Sequence, residues 1–153
     1  MLAHAARSLH KAGADFIVLC TNTMHKVAPA IAEAVPIPLL HIADATAAAI
    51  TYAGFSRVGL LGTKFTMQQP FYRERLSEQY GLEVLLPTEA EQDSLHQIIY
   101  QELCQGVIDL ESKQTVRKMM AGLAWQGMDG IILGCTEIGL LVAKADAAVP
   151  LFD

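Results

Sequence analysis

Two of the three cysteines, Cys20 and Cys135, lie in matching Cys-Thr dipeptides. Each dipeptide follows a continuous aliphatic run, 16–19 or 131–133, as expected of a strand in a parallel sheet that helices cover on both faces. Ligands of parallel α/β sheets bind beyond the carboxyl ends of the strands. Two thiols facing one small ligand could remove a proton from one face of a carbon and return it to the other. The pattern predicts an enzyme that moves a proton on a small acidic molecule.

The protonation state of these thiols depends on the element after each strand. If a helix begins after each Cys-Thr, its N-terminal N–H groups favour anions and should lower the thiol pKa from about 8.5. The alternative is that a cysteine at a strand end is a small core residue, and this is what we expect of Cys104 inside the apolar segment 95–104. No cysteine has a second ligand at Cys-x-x-Cys spacing, so no metal site is predicted.

Polar residues beside the two cysteines could bind a small acid through hydroxyl, amide and backbone groups. The predicted substrate-binding residues are Thr21, Asn22, Thr23, Thr63, Thr136 and Glu137. Helix N-capping is an alternative role for the hydroxyl and amide side chains, and the two roles can coexist. His25 could lie at the rim of the site, and His41 and Asp44 could support it from behind. Solvated or capping roles are the alternative for these three residues.

A duplication places the two cysteines in equivalent surroundings. Residues 9–19 and 123–133 share a leucine, a glycine, an aspartate, an isoleucine and a leucine at an offset of 114, and Gly134 is an inserted residue before the second Cys-Thr. Both copies continue through an apolar segment to Val-Pro and a short apolar run. Gly13 and Gly127 fall where a helix ends in a left-handed residue. The repeated unit is therefore helix, glycine turn, strand, Cys-Thr and helix.

The remaining elements alternate, which predicts an α/β fold with parallel sheets and flanking helices. We expect strands at 57–63 and 82–86 and helices at 2–12, 66–80, 96–104 and 113–126. The duplication divides the chain into two pseudo-symmetric lobes, the remainder of a first lobe at 1–53 and a second lobe at 54–153. The first copy lacks a preceding strand and βα unit, and the sequence stops at Asp153 directly after a predicted strand, so we expect a fragment truncated at both ends. An exposed strand edge and exposed apolar helix faces should result.

Composition excludes several classes of protein. The chain has 153 residues, 52% of them hydrophobic, with a net charge of −5 and no basic cluster, so it should have a buried core and should not bind nucleic acid. No apolar stretch is long enough for a membrane span, and the first residues do not resemble a secretion signal. An odd number of cysteines, three, in a sequence without a secretion signal indicates free thiols and not a disulfide framework. We therefore expect a cytoplasmic protein without membrane association.

The motifs resemble those of the aspartate/glutamate racemase family, which comprises cofactor-independent two-cysteine amino-acid racemases. The resemblance rests on residues 18–25 (Val-Leu-Cys-Thr-Asn-Thr-Met-His), 59–63 (Gly-Leu-Leu-Gly-Thr) and 134–138 (Gly-Cys-Thr-Glu-Ile), and it covers essentially the whole chain. The Cys-Thr-Glu turn is similar to that of the aspartate branch. The resemblance implies that Cys20 and Cys135 exchange the roles of base and acid, without pyridoxal phosphate, on aspartate or glutamate. It also implies a homodimer.

Other enzymes on the same scaffold remain as alternatives. Maleate isomerase and hydantoin racemase share the resemblance, whereas arylmalonate decarboxylase keeps one of the two cysteines and fits less well. In some aspartate racemases a lysine precedes the glycine after the mid-chain helix, but this chain has Gln105-Gly106. An inactive homologue that only binds its ligand is the alternative from a different functional class.

Overall fold

The computed structural model describes residues 1–153. Strands and helices alternate along the chain, and the strands form two parallel sheets. The strands are β1 (Ile17–Val18), β2 (Leu39–Leu40), β3 (Arg57–Gly62), β4 (Glu83–Leu85), β5 (Gly130–Gly134) and β6 (Leu151–Phe152). The helices are α1 (Leu2–Lys11), α2 (Ala28–Ala32), α3 (Ile42–Tyr52), α4 (Lys64–Gln68), α5 (Pro70–Tyr80), α6 (Glu89–Gln97), α7 (Leu110–Trp125) and α8 (Ile138–Leu141).

Every strand pairing is parallel, which confirms the predicted fold class. β1 pairs with β2 in a two-stranded sheet, and the larger sheet has the order β4-β3-β5-β6. β3 and β5 pair over five residues, from Val58 with Gly130 to Gly62 with Gly134. Because all the strands of the larger sheet run the same way, their carboxyl ends share one edge.

Two hydrophobic cores follow from the two sheets. The larger core contains 25 buried residues and includes the aliphatic side chains of β3 and β5, which are buried throughout. The smaller core has four buried members, Ala6, Ile17, Ile31 and Val35. Helix α3 lies within the predicted first lobe, but its Ala43, Ala47 and Ile50 pack in the larger core. The division at residue 53 stays a prediction.

The sheet of β1 and β2 is covered on one face only, which differs from the expectation for residues 16–19. Ile17 is buried against α1 and α2, whereas Val18 and its register partner Leu40 are 56% and 53% exposed. Phe16, before the strand, is also exposed. An aliphatic run predicts that a strand is apolar, but it cannot say whether both faces are covered, because cover depends on the elements around it.

Local sequence features explain where several elements begin and end. Gly13 and Gly127, after α1 and α7, both have positive φ, as the duplication predicts. The expected helix at 66–80 is instead two helices, because Pro70 cannot supply a backbone N–H and begins α5 as its first residue. The expected helix at 96–104 is the end of α6, followed by a π-helical turn at Ile98–Glu102 and a 3₁₀ turn at Leu103–Gln105. No helix is both long enough and apolar enough to cross a membrane.

The N-terminus of α3 is held by a histidine. His41 is the N-cap residue, and its Nδ1 accepts a hydrogen bond from the backbone N–H of Ala43 at 3.2 Å. The ring is buried, with His25, Arg75 and Asp44 around it. Burial, followed by the neighbouring His25 and Arg75, lowers the pKa of His41 to about 4. The neutral ring is therefore the form that caps the helix.

Acid should destabilise the fold through this cap. The folded-state pKa lies below the unfolded value of 6.5, so stability from neutral His41 is present above pH 6.5 and is lost as pH falls toward 4. The loss should reach at most about 3 kcal/mol. Urea unfolding at pH 7, 6 and 5 would measure it. His41→Asn is the matched variant, because asparagine caps helices without titrating, and its stability should vary less with pH over this range. An identical pH dependence in both proteins would contradict this role.

Candidate active site

All eight residues predicted from the sequence line one cavity of about 270 Å³. The cavity contains both cysteines, Cys20 and Cys135, and the polar residues Thr21, Asn22, Thr23, Thr63, Thr136 and Glu137. Four further residues complete its wall: Ile99, Tyr100, Cys104 and Gly134. Residues more than a hundred positions apart in sequence thus meet at one place.

Strand ends bring these residues together. Cys20 follows β1, Thr63 follows β3 and Cys135 follows β5, each at the carboxyl end of its strand. Gly62 and Gly134 are register partners at the end of β3 and β5. A Cβ on Gly134 would lie 3.0 Å from the Leu61 carbonyl oxygen, so a larger residue would push the strand ends apart. The glycine before Cys135 therefore allows the close approach that forms the floor of the cavity.

The thiol of Cys135 is held in its protonated form. It is half-buried, and its Sγ donates a hydrogen bond to Oε2 of Glu137 at 3.0 Å. Burial, together with the Glu137 carboxylate, raises the pKa of Cys135 to about 12. The expectation that a following helix lowers this pKa is wrong for Cys135, because α8 has only four residues and the carboxylate beside the sulfur opposes ionisation.

Glu137 is the one charged side chain that lines the cavity. Its Oε2 accepts hydrogen bonds from Cys135 and from the Thr136 hydroxyl, the latter at 2.8 Å. These donors lower the pKa of the carboxyl group, which is therefore ionised at neutral pH. Glu137 thus faces the sulfur directly, a contact that the sequence alone did not indicate.

Cys20 has different surroundings from Cys135. It is exposed, and it precedes a 3₁₀ turn at Thr23–Val27 rather than an α-helix. Asn22 lies at the start of that turn without a capping bond from its side chain. Neither the Asn22 amide nor the Thr21 hydroxyl has a side-chain hydrogen bond in the structure, so both can bind a ligand in the cavity.

Three threonines connect the wall of the cavity across the two sheets. Thr63 caps α4 by accepting from the backbone N–H of Thr66 at 3.4 Å, so its predicted alternative capping role is present. The hydroxyls of Thr63 and Thr66 are 3.3 Å apart, and the hydroxyl of Thr23 is 3.5 Å from that of Thr66. This chain of hydroxyls joins the turn after β1 to the turn after β3.

The third thiol belongs to the cavity, so the prediction that Cys104 is a core residue is wrong. Cys104 is exposed and lines the cavity, whereas the preceding Leu103 is buried. The π-helical turn and the 3₁₀ turn change the helical phase, so periodicity read along 95–104 misplaces the residue. The same segment contributes Ile99 and Tyr100, which sequence analysis missed because nothing in the sequence marks the π-helical turn.

His25 lies behind the cavity and not at its rim, where it was predicted, and His41 and Asp44 also lie outside the cavity wall. His25 is 1% exposed, and its ring centroid is 4.3 Å from that of His41. Asp44 forms an ion pair with Arg75, with contacts of 2.6 and 2.8 Å. None of these side chains lines the cavity. No group of three or more His, Cys, Asp or Glu side chains could hold a metal ion.

The sequence model of the Asp/Glu/Hydantoin racemase family matches residues 1–153. A broad specificity amino-acid racemase, RacX, from Bacillus subtilis is 28% identical over 148 residues, which cover 97% of this chain and 63% of that protein.

Solved structures have the same fold. A candidate Asp/Glu racemase from Yersinia pestis is 53% identical and has a TM-score of 0.96, with 99% of this chain and 66% of that chain covered. An aspartate racemase homologue from Pyrococcus horikoshii is 39% identical, with a TM-score of 0.88 and the same coverage. This chain spans slightly less than two thirds of the length of each of these relatives.

Replacing Glu137 with glutamine should make Cys135 more acidic. The substitution removes the negative charge and weakens the acceptor beside the sulfur, so the pKa of Cys135 should fall from about 12. It should stay above the ordinary cysteine value, because burial, the larger cause, remains. The pH dependence of thiolate absorbance, measured in a Cys20→Ser, Cys104→Ser background, isolates this thiol. An unchanged titration would show that the carboxylate does not control Cys135.

Proposed function

The chain belongs to the Asp/Glu/hydantoin racemase family, and we propose that the protein is an amino-acid racemase that interconverts L- and D-aspartate, glutamate or both. Proton transfer would take place between Cys20 and Cys135 without pyridoxal phosphate. The observation that carries this proposal is the single cavity lined by both thiols and all six predicted polar residues.

The two thiols have different tasks in one direction of the reaction. Cys135 is protonated and hydrogen-bonded, so it can supply a proton to Cα. Cys20, exposed after the end of β1, takes the Cα proton as a thiolate. The sulfur–hydrogen bond of Cys135 breaks as a bond forms to Cα, and the roles are exchanged in the reverse direction. This is general acid–base catalysis by two groups of the same type.

The chemical difficulty is the weak acidity of a Cα–H bond beside an ionised carboxylate. Positioned donors must stabilise the negative charge that develops on that carboxylate. The unpaired side chains of Asn22 and Thr21 are suited to this task, and Thr23, Thr63 and Thr136 supply further hydroxyls around the cavity. Glu137 contributes by holding the Cys135 thiol in place, and its charge also suits the substrate's ammonium group.

A neutral amino acid is the second candidate substrate. Glu137 is the charged side chain on the cavity wall, and a carboxylate there repels a second substrate carboxylate while attracting an ammonium group. The relative from Bacillus subtilis is a broad specificity racemase. Hydantoin racemisation and maleate isomerisation, which need a proton transfer or a thiol addition at a similar site, are the other candidates on this fold.

The lobe division and the oligomeric state are part of the same proposal. We place the lobe division at residue 53, with 1–53 contributing Cys20 and 54–153 contributing Cys135. We also propose a homodimer. The apolar side chains of Phe16, Val18 and Leu40 are exposed beside or on the smaller sheet. Their exposure supports the proposal that this surface is buried against another polypeptide segment.

Deuterium incorporation tests the reaction. Incubated in D₂O with L-aspartate or L-glutamate and no added cofactor, the protein should produce the D-isomer with deuterium at Cα. Cys20→Ser and Cys135→Ser should each slow racemisation by at least about 100-fold, since each removes one acid–base group. Cys104→Ser removes a thiol from the same cavity that the reaction does not use, and it should retain most of the activity. Chiral chromatography with mass spectrometry measures both products.

The outcomes separate the candidates. Faster turnover of alanine or homoserine than of aspartate would favour the neutral substrate class. Wild-type rates in both Cys20→Ser and Cys135→Ser would exclude the two-thiol mechanism. No exchange with any amino acid, together with turnover of a hydantoin or of maleate, would replace the proposed activity.

A further inference from the structure

We propose that His25 is a positioning residue that ties the Cys20 turn to the N-terminus of α3 and so fixes the distance between the two reacting thiols. The inference rests on the proposed two-thiol function. His25 does not touch the cavity, and its effect on the reaction would pass through the backbone of the turn that carries Cys20.

Both nitrogens of the His25 ring are bonded to backbone groups. Nδ1 lies 2.7 Å from the carbonyl oxygen of Thr21, and Nε2 lies 3.1 Å from the backbone nitrogen of Ile42. The Ile42 N–H must donate, so Nε2 is the unprotonated acceptor. A neutral ring then carries its proton on Nδ1 and donates it to Thr21. One tautomer satisfies both bonds, and the ring is 1% exposed.

The two bonds join the turn that carries Cys20 to the part of the molecule that carries Cys135. Thr21 directly follows Cys20, and its carbonyl belongs to the turn after β1. Ile42 is the first residue of α3, whose buried face packs in the larger core together with β5. Cys135 directly follows β5. His25 therefore connects the Cys20 turn to the body of the protein that holds Cys135.

Few other hydrogen bonds could do this. The backbone bonds of the turn are local, from Thr21 N–H to the Leu19 carbonyl and from His25 N–H to the Asn22 carbonyl. The remaining side-chain link across the sheets is the contact between Thr23 and Thr66, and at 3.5 Å it is long for two hydroxyls. The shorter bonds of His25 are thus the stronger tie.

The surroundings of His25 favour the neutral ring that this geometry requires. The ring faces His41 at a centroid distance of 4.3 Å, and the charged groups near it are Arg75 and Asp44, which are paired with each other. Burial lowers the pKa of His25 and outweighs the bond to the Thr21 carbonyl, which raises it. A protonated ring would lose the acceptor for Ile42 and place a positive charge at the N-terminus of α3.

A purely structural role makes a different prediction, and His41 provides the matched control. His41 is a buried histidine in contact with His25 and also accepts a bond at the N-terminus of α3, but it has no bond to the Cys20 turn. If His25 matters only for stability, then His25 and His41 variants of equal stability should have equal activity. If His25 positions Cys20, only its own variants should affect the reaction.

The experiment uses His25→Asn and His25→Gln against His41→Asn. In His25→Asn the amide can still donate to the Thr21 carbonyl, but the bond to Ile42 is lost. In His25→Gln the amide can still accept from the Ile42 N–H, but the bond to Thr21 is lost. We expect both His25 variants to lower kcat by about tenfold or more, with KM changed far less, because displacement of a reacting group acts on the chemical step. His41→Asn should keep kcat within about twofold. Melting temperatures identify variants that fail to fold.

Alkylation of the thiols gives a readout that does not need turnover. Iodoacetamide labelling followed by peptide mass spectrometry should show a changed rate at Cys20 in both His25 variants, an unchanged rate at Cys135, and no change in His41→Asn. If wild-type protein racemises nothing, the proposed function fails, whereas the Cys20 labelling still tests the positioning. Equal kcat and Cys20 labelling in wild-type and His25 variants would overturn the inference. Equal losses in His41→Asn would also overturn it.

Discussion

β3 and β5 pair in parallel from Val58 with Gly130 to Gly62 with Gly134, and the other parts of the site are placed relative to that pair. β5 is buried along its whole length and β3 from Val58 to Gly62, so the pair lies at the centre of the larger core. Their common end delivers Thr63 and Cys135 to the cavity. The glycines at that end leave little room for a Cβ, so they let the two strands approach closely beside the cavity.

Electrostatics then separates two thiols that the duplication presents as equivalent. Cys20 follows β1 of the two-stranded sheet and is exposed, whereas Cys135 follows the fully buried strand β5 and is half-buried beside Glu137. Desolvation and a nearby carboxylate both favour the neutral thiol. The pseudo-symmetry is therefore one of backbone, and burial and Glu137, which the repeat does not share, keep the Cys135 thiol protonated.

Sequence reasoning predicted the fold class, the repeat and the eight residues that meet in the cavity, since strand ends in a parallel sheet share one edge. It could not predict the pKa of Cys135, which depends on burial and on the side-chain direction of Glu137. It misplaced Cys104 because a π-helical turn changes helical phase without a sequence signal. It placed His25 at the rim, because spacing along a helix does not show that both ring nitrogens bind the backbone behind the turn.

The raised pKa of Cys135 has a consequence for the catalytic cycle if the two-thiol reaction holds. One turnover moves the proton from Cys135 to the substrate and leaves that sulfur as a thiolate beside a carboxylate. Cys20 then holds the proton taken from Cα, so the free protein has two forms that differ only in which sulfur carries the proton. The proton must pass from Cys20 to Cys135 before the same enantiomer can react again. Recovery of the resting form, rather than cleavage of the Cα–H bond, could then limit flux in one direction and leave the other unaffected.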